Sequence, residues 1–176
     1  MFTVCDNLKH KTILTLLYAT GIRAQELINL QWSHLDRSRK VINIIQAKGK
    51  KDRQVPLPDA IIPVLTDYWH SFKPNERPYP YILGGQTIKG VTHPQYSKSS
   101  VLAVVKQLAI KAGIEKKVWT HLIRHCTGTH MFESGIELRV IQEIFGHQSQ
   151  KTTNLYTHTS SNYIAKVNSP INAIYI

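Results

Sequence analysis

A histidine and an arginine occur together at the predicted start of a helix near residue 120. Thr120 is predicted to be the N-cap, which places His121 in the first turn and Arg124 three residues later on the same side. Free N–H groups at a helix start attract anions, and an arginine can bind two oxygens of a phosphate at once. The pattern therefore predicts a phosphate site. A solvated histidine and arginine at the protein surface is the alternative that these residues leave open.

Other cationic side chains could also bind or act on a phosphate. Arg23 lies at a second predicted helix start, and Glu26 three residues later could fix its orientation. Lys48 lies in the turn of a predicted basic hairpin, where a lysine can deliver a proton to a leaving oxygen. Lys50 and Lys51 could do the same, so the residues alone leave this choice open, and three solvated lysines on a turn are the alternative.

A tyrosine follows a histidine near the carboxyl end of the sequence. Gly146 is the predicted end of a helix, so the chain should turn sharply there and project His147 away from it. Tyr156 follows, and Thr152 or Thr153 can cap the helical turn that carries it. A lone tyrosine is ordinarily a half-buried packing residue, but a presented histidine nearby favours a chemical role.

A metal site is the competing interpretation of the histidines. His121 and His125 have the i, i+4 spacing of two ligands on one helix face. However, no glutamate follows His121 as in the zinc-protease helix, and paired cysteines are lacking. We therefore expect no metal and no other cofactor.

Charge and composition favour a nucleic-acid partner. Lys and Arg total 22 against 11 Asp and Glu, a formal net charge of +11, and such an excess favours a polyanion. No apolar run is long enough to span a bilayer, no signal peptide is evident, and the two cysteines suggest no disulfide framework, so we expect a cytoplasmic protein without a membrane partner. The basic residues cluster locally, with Asp52 as the single acid among Arg37, Arg39, Lys40, Lys48, Lys50, Lys51 and Arg53.

The hydrophobic pattern predicts a mainly α fold with a small antiparallel β-sheet, an α+β class. Strands are expected at 40–47 and 53–57, where Pro56 indicates an edge position because it cannot donate to a ladder. The proline- and glycine-rich stretch 73–97 is predicted to be irregular, either a domain boundary or a loop within one domain. Helices are expected at 7–20, from Arg23, and at 59–70, 99–112, 120–134 and 137–145.

Five short motifs occur along the chain, and their order and spacing resemble those of a known protein family. The chain is similar to the catalytic domain of the tyrosine recombinases, or phage-type integrases, from about residue 7 to 158. Phe145 stands where members of that family often carry leucine. The motifs are Thr20-Gly21-Ile22-Arg23-Ala24-Gln25-Glu26-Leu27, Ala47-Lys48-Gly49-Lys50-Lys51-Asp52-Arg53-Gln54-Val55-Pro56-Leu57, His121-Leu122-Ile123-Arg124-His125, Phe145-Gly146-His147 and Thr152-Thr153-Asn154-Leu155-Tyr156-Thr157-His158.

The resemblance implies a role for each site residue. Tyr156 would attack a phosphate of double-stranded DNA, Lys48 would protonate the leaving oxygen, and His121 would assist proton transfer. Non-bridging oxygens would be held by Arg23, Arg124 and His147. The expected DNA contacts are Lys50, Lys51, Arg53, His125 and Lys151.

The resemblance also implies a domain arrangement and an assembly. Residues 1–159 would be the catalytic domain and 160–176 a tail that packs on a neighbouring copy or on its own domain, with no N-terminal core-binding domain. Members of the family self-associate on DNA, typically as tetramers. The function implied is site-specific recombination or integration of the kind encoded by bacteria, phages and mobile elements. A type IB topoisomerase with the same chemistry and a catalytically inactive DNA-binding module are the alternatives.

Overall fold

The computed structural model describes residues 1–45, 52–85, 87–88, 91–92 and 94–146. Several predicted site residues and the tail 160–176 lie outside these ranges. Those site residues are Lys48, Lys50, Lys51, His147, Lys151 and Tyr156.

Helices are the main secondary structure of the described chain, as the hydrophobic pattern predicts. The Asn7 side chain accepts a hydrogen bond from the His10 N–H at 3.1 Å and so begins the first helix, which ends where Gly21 adopts a left-handed φ of 62°. The predicted N-cap at Thr120 is wrong by one residue, because the extended position is Trp119 and Thr120 is already helical. The helices are α1 (Leu8–Thr20), α2 (Ala24–Ile28), α3 (Ile61–His70), α4 (Lys98–Lys111), α5 (Thr120–Glu133) and α6 (Leu138–Phe145).

A three-stranded antiparallel sheet carries the basic hairpin. Its strands are β1 (Leu35–Asp36), β2 (Val41–Ile44) and β3 (Arg53–Pro56), in the order β1-β2-β3. Pro56 therefore lies on an edge strand, as predicted. The hairpin turn itself, residues 46–51, is outside the described part of the chain.

The segment between α3 and α4 belongs to the same core as the helices. Ile82 and Leu83 are fully buried and Tyr96 is 7% exposed, so a domain boundary at 73–97 is excluded. A short hairpin, β4 (Thr87–Ile88) with β5 (Val91–Thr92), interrupts the stretch that was predicted to be irregular. These two-residue strands are too short for a periodicity to reveal them.

The core centres on α1, whose Ile13, Leu16 and Leu17 are at most 1% exposed. It packs against α3 and α5. A smaller apolar cluster joins α5 to α6 through Phe132, with Phe145 at the end of α6 fully buried. Within the described residues, none of the helices has the length and apolar content needed to cross a bilayer.

Candidate functional site

An open cleft of about 520 Å³ lies where the N-terminal ends of α2, α4 and α5 meet. The structure brings three predicted site residues from distant parts of the chain into the lining of this cleft. They are Arg23, His121 and Arg124.

Arg124 is the most constrained of the three. Arg124 is only 2% exposed. Its Nη1 atom donates a hydrogen bond of 2.6 Å to the carbonyl oxygen of Gly21, and its Nη2 atom donates one of 2.6 Å to that of Phe145. The guanidinium carbon also lies 4.2 Å from the centre of the Phe145 ring, a cation–π contact. Arg124 therefore fastens α5 to the ends of α1 and α6, and its charge is fixed in place before any anion arrives.

Arg23 presents a more accessible charge to the cleft, with 41% of its side chain exposed. Glu26 orients it from one helical turn away, as predicted. The Arg23 Nη1 atom donates to Glu26 Oε1 at 3.0 Å, and the Arg23 backbone N–H donates to Glu26 Oε2 at 2.7 Å. The carboxylate thus fixes both the side chain and the backbone of Arg23 at the start of α2.

Glu26 is itself held by a second arginine. Arg53 donates Nη1 to Oε1 and Nη2 to Oε2 of Glu26, both at 2.8 Å, a bidentate pair. Burial of the carboxyl alone would raise its pKa, but the hydrogen bonds from Arg53 and the Arg23 backbone, together with both positive charges, lower the pKa of Glu26 to about 2. Glu26 is therefore an anion under all ordinary conditions.

Arg53 occupies an internal position, whereas the sequence predicted a DNA contact. Its side chain is 8% exposed, and its Nε donates to the carbonyl oxygen of Ile144 at 2.7 Å. Close packing continues at Gly146, where a Cβ atom would lie 3.0 Å from Arg53 Cδ. Contact with DNA stays a prediction for this residue. In the structure, the Arg53 side chain links β3 to α2 and α6.

The two histidines of α5 lie edge to face, with ring centres 4.7 Å apart and an interplanar angle of 87°. Burial lowers the pKa of His121, and the nearby charges of His125, Arg124 and Arg23 lower it further. The pKa of His125 is lowered by burial and then by Arg124. Both imidazoles are therefore neutral near pH 7, and a neutral imidazole can accept a proton.

Lys98 and Ser99 also line the cleft, and the sequence analysis missed both. The preceding Ser97 caps α4, because its Oγ accepts a hydrogen bond from the Ser100 N–H at 2.9 Å. A serine ahead of the apolar residues of α4 is the signal in the sequence, but a helix predicted to begin at 99 leaves Lys98 outside its first turn. A second helix N-terminus and a lysine therefore add positive potential to the cleft.

The remaining predicted residues can be placed only by their described neighbours. Lys48, Lys50 and Lys51 lie in the sequence between β2 and β3, and His147 directly follows Gly146. As to the metal alternative, no group of three potential ligands occurs among the described residues; His147 and His158 lie outside them.

The sequence matches the phage integrase family over residues 1–162. A tyrosine recombinase XerD from Staphylococcus aureus is 36% identical over 164 residues, and the match covers 90% of this chain and 53% of that protein. The XerD of Staphylococcus epidermidis is 35% identical over 163 residues, with the same coverage of 90% and 53%. The chain thus spans about half the length of these relatives.

Solved structures give the same result for the fold. The crystal structure of XerA recombinase matches with a TM-score of 0.78 at 29% identity, over 94% of this chain and 57% of that one. The XerH site-specific recombinase in its post-cleavage complex with a palindromic difH substrate matches with a TM-score of 0.73 at 22% identity, over 90% and 44%. The predicted fold class, mainly helical with a small antiparallel sheet, is confirmed. By its sequence and its fold, the chain belongs to the phage integrase family, to which the tyrosine recombinases belong.

Proposed function

We propose that the chain is the catalytic domain of a site-specific DNA recombinase that cuts and rejoins DNA through Tyr156. One observation carries this proposal: Arg23, His121 and Arg124 line a single cleft, with the Arg124 guanidinium buried and anchored. Two fixed guanidinium groups and a neutral imidazole suit a phosphodiester, whose non-bridging oxygens gain negative charge in the transition state.

The proposed reaction is a transesterification. The Tyr156 hydroxyl oxygen attacks the phosphorus, the bond from phosphorus to the 5′ oxygen breaks, and a 3′-phosphotyrosyl bond forms. His121 accepts a proton in this step, because its lowered pKa keeps the ring neutral at pH 7. Lys48 gives a proton to the departing 5′ oxygen, while His147 joins Arg23 and Arg124 on the non-bridging oxygens. Attack by a 5′ hydroxyl of the partner strand reverses the steps and rejoins the DNA without an external energy source.

Binding of double-stranded DNA would extend beyond the cleft. Lys50, Lys51, His125 and Lys151 are the proposed contacts around the cut, and Lys98 is added to them because it lines the cleft. The net charge of +11 supports an interface dominated by phosphates. Because the substrate would be a bacterial, phage or mobile-element DNA, we expect the reaction to take place in the cytoplasm.

Strand exchange requires several active sites on two duplexes, so we propose that copies of the protein assemble on DNA as a tetramer. In this proposal residues 1–159 form the catalytic unit, and the tail 160–176 contacts a neighbouring copy. The chain's apolar last residues, from Pro170 to Ile176, support such a contact.

A pool of nicked duplexes with a randomised central region provides the test, because a nick traps the covalent intermediate by release of the short 5′ fragment. We expect the wild-type chain to form adducts that survive denaturing gels and to select one family of DNA sequences. Tyr156→Phe should form no adduct yet bind the selected duplex normally, whereas Tyr79→Phe, at an exposed tyrosine outside the cleft, should behave as wild type. Adducts formed by Tyr156→Phe would exclude Tyr156 as nucleophile, and relaxation of supercoiled plasmid without sequence preference would favour a topoisomerase.

A further inference from the structure

One buried arginine connects three segments that each carry or adjoin a proposed catalytic residue. Arg53 begins β3, five positions after Lys48 in the sequence. Its guanidinium reaches Glu26 in α2, the partner of Arg23, and the carbonyl of Ile144 at the end of α6. His147 follows that end within three residues.

The Glu26 carboxylate couples two arginines, because it accepts hydrogen bonds from both of them. Each Glu26 oxygen accepts one bond from Arg53 and one from Arg23, at distances between 2.7 and 3.0 Å. The Glu26 side chain is 10% exposed and that of Arg53 8%, so solvent screens this pair little. Without Arg53, the carboxylate would keep only its two hydrogen bonds from Arg23, and the Arg23 side chain would be oriented less firmly.

The end of α6 depends on the same guanidinium. A helix leaves its last carbonyl groups without partners inside the helix, and cations near them are favourable. Arg53 binds the carbonyl of Ile144 and Arg124 binds that of Phe145, so two arginines from different elements cap this end together. The Arg53 side chain also lies close to Gly146, where an added Cβ atom would come within 3.0 Å of Arg53 Cδ.

We propose that Arg53 is a positioning residue, which holds Arg23 through Glu26 and fixes the point from which the segment carrying His147 and Tyr156 leaves α6. This proposal rests on the proposed function. It replaces a direct phosphate contact as the main role of Arg53, because Arg53 is not among the residues that line the cleft and all three of its guanidinium nitrogens already donate to protein oxygens.

Arg53→Lys provides the sharpest test, because it keeps the charge but cannot make the bidentate pair and the bond to Ile144 together. On the duplex selected by the wild-type chain, we expect the rate constant for adduct formation at saturating protein to fall about 10- to 100-fold. The Kd should weaken by no more than a few fold, the effect of a misplaced Arg23, and its dependence on salt should match that of the wild type, since Arg53 itself contacts no phosphate. A matched control is Val55→Ala on the same strand, which removes buried core contacts without touching Glu26 and should leave the rate within about twofold at 25 °C.

A weaker Kd of Arg53→Lys with an unchanged rate constant at saturation would show that Arg53 binds DNA directly and would overturn the proposal. If Arg53→Lys fails to fold, the double variant Glu26→Gln with Arg53→Gln removes both buried charges together. Formation of adducts at the wild-type rate by a folded double variant would also overturn it.

A readout without DNA separates this proposal from the proposed function. If the wild-type chain forms no adduct, the proposed function fails, but binding of inorganic phosphate in the cleft can still be followed through the NMR signals of the His121 ring. We expect Arg53→Lys to weaken phosphate binding severalfold, because Arg23 loses its orientation. Unchanged phosphate affinity in this variant would overturn the positioning role.

Discussion

The Gly21 backbone lies directly against the ring of Phe145, so that a Cβ atom built on Gly21 would overlap the ring edge. This contact brings the end of α1 onto the end of α6. It lies at the same place where Arg124 bonds to the carbonyl oxygens of both residues. The geometry of the cleft therefore depends on the glycine that ends α1.

Gly21→Ala should be severely destabilising. The substitution combines a left-handed φ of 62° with overlap on the Phe145 ring, and we expect a loss of about 3 kcal/mol in the free energy of unfolding. Gly113→Ala is the matched control, because φ is 67° there but nothing lies within 4 Å of the new Cβ, so about 1 kcal/mol should be lost. Urea denaturation measures both, and equal losses would contradict the role of the ring contact.

A second substitution can test the same contact by rescue. Phe145→Leu in the Gly21→Ala background should recover part of the loss, because a smaller side chain relieves the overlap while the strain of the left-handed backbone remains. Leucine is also the residue that the family resemblance associates with this position. No recovery in urea denaturation would place the cost of Gly21→Ala in the backbone alone.

Arg124→Lys should impair both stability and activity. A single ammonium group cannot bind the carbonyl oxygens of Gly21 and Phe145 together and stack on the Phe145 ring, so we expect a loss of about 2–4 kcal/mol of folding free energy. The rate of adduct formation should fall at least about 100-fold. Arg139→Lys, at a side chain that is 86% exposed on α6, is the control and should change stability by less than about 0.5 kcal/mol. Wild-type stability for Arg124→Lys in thermal unfolding would exclude the anchoring role.

Acid should weaken the fold through Glu26. Because its pKa falls from 4.5 to about 2 on folding, its contribution of about 3 kcal/mol is fully present above pH 4.5 and is lost as the pH falls toward 2. Between pH 6 and pH 3, the free energy of unfolding of the wild type should drop by about 2 kcal/mol more than that of Glu26→Gln.

Glu76→Gln provides the comparison for the acid experiment, because its carboxylate is 57% exposed and meets Lys73 only at 4.0 Å. It should lose as much stability as the wild type over the same pH range. A Glu26→Gln variant with a wild-type pH response in urea denaturation would show that this carboxyl does not lose its proton at unusually low pH.

His121 should titrate below its ordinary pKa of 6.5. After burial, the charge of His125 is the next cause of the lowered His121 pKa, so His125→Gln should raise the His121 pKa. The pKa of His34 is lowered by burial alone and should not change in this variant. NMR titration of the ring protons measures both. The rate of adduct formation should rise with pH through the His121 titration and level off near pH 7, because the neutral ring accepts the proton. A His121 pKa above 6.5 would contradict this assignment.

The helices with a regular apolar stripe could be predicted from the sequence, and so could the cationic residues at the helix starts. α1, α4 and α6 lie within one or two residues of their predicted positions because each has an apolar stripe ended by a residue that stops a helix. Arg23, His121 and Arg124 could be named from motif and spacing. Their convergence depends on the packing of α2, α4 and α5, which no local pattern encodes.

Arg53 shows why the rest could not be predicted. In the sequence it is one of many basic residues in a hairpin, and local charge density favours DNA contact. Only the fold reveals that β3 places this one guanidinium beside Glu26, 27 residues earlier, and Ile144, 91 residues later. Lys98 was missed for a related reason, because it reaches the cleft through the placement of α4 and belongs to no motif.

The capped end of α6 sets a limit on how far the proposed nucleophile can stray. Tyr156 stands ten positions after Gly146, and a chain of that length spans at most about 35 Å by any path. Since Arg53 and Arg124 hold the end of α6, the hydroxyl would stay within that distance of it, and tethers of this kind give effective concentrations in the millimolar range. Such confinement would favour attack within one's own cleft over attack in a neighbour's, unless assembly offers the neighbour's cleft within the same reach.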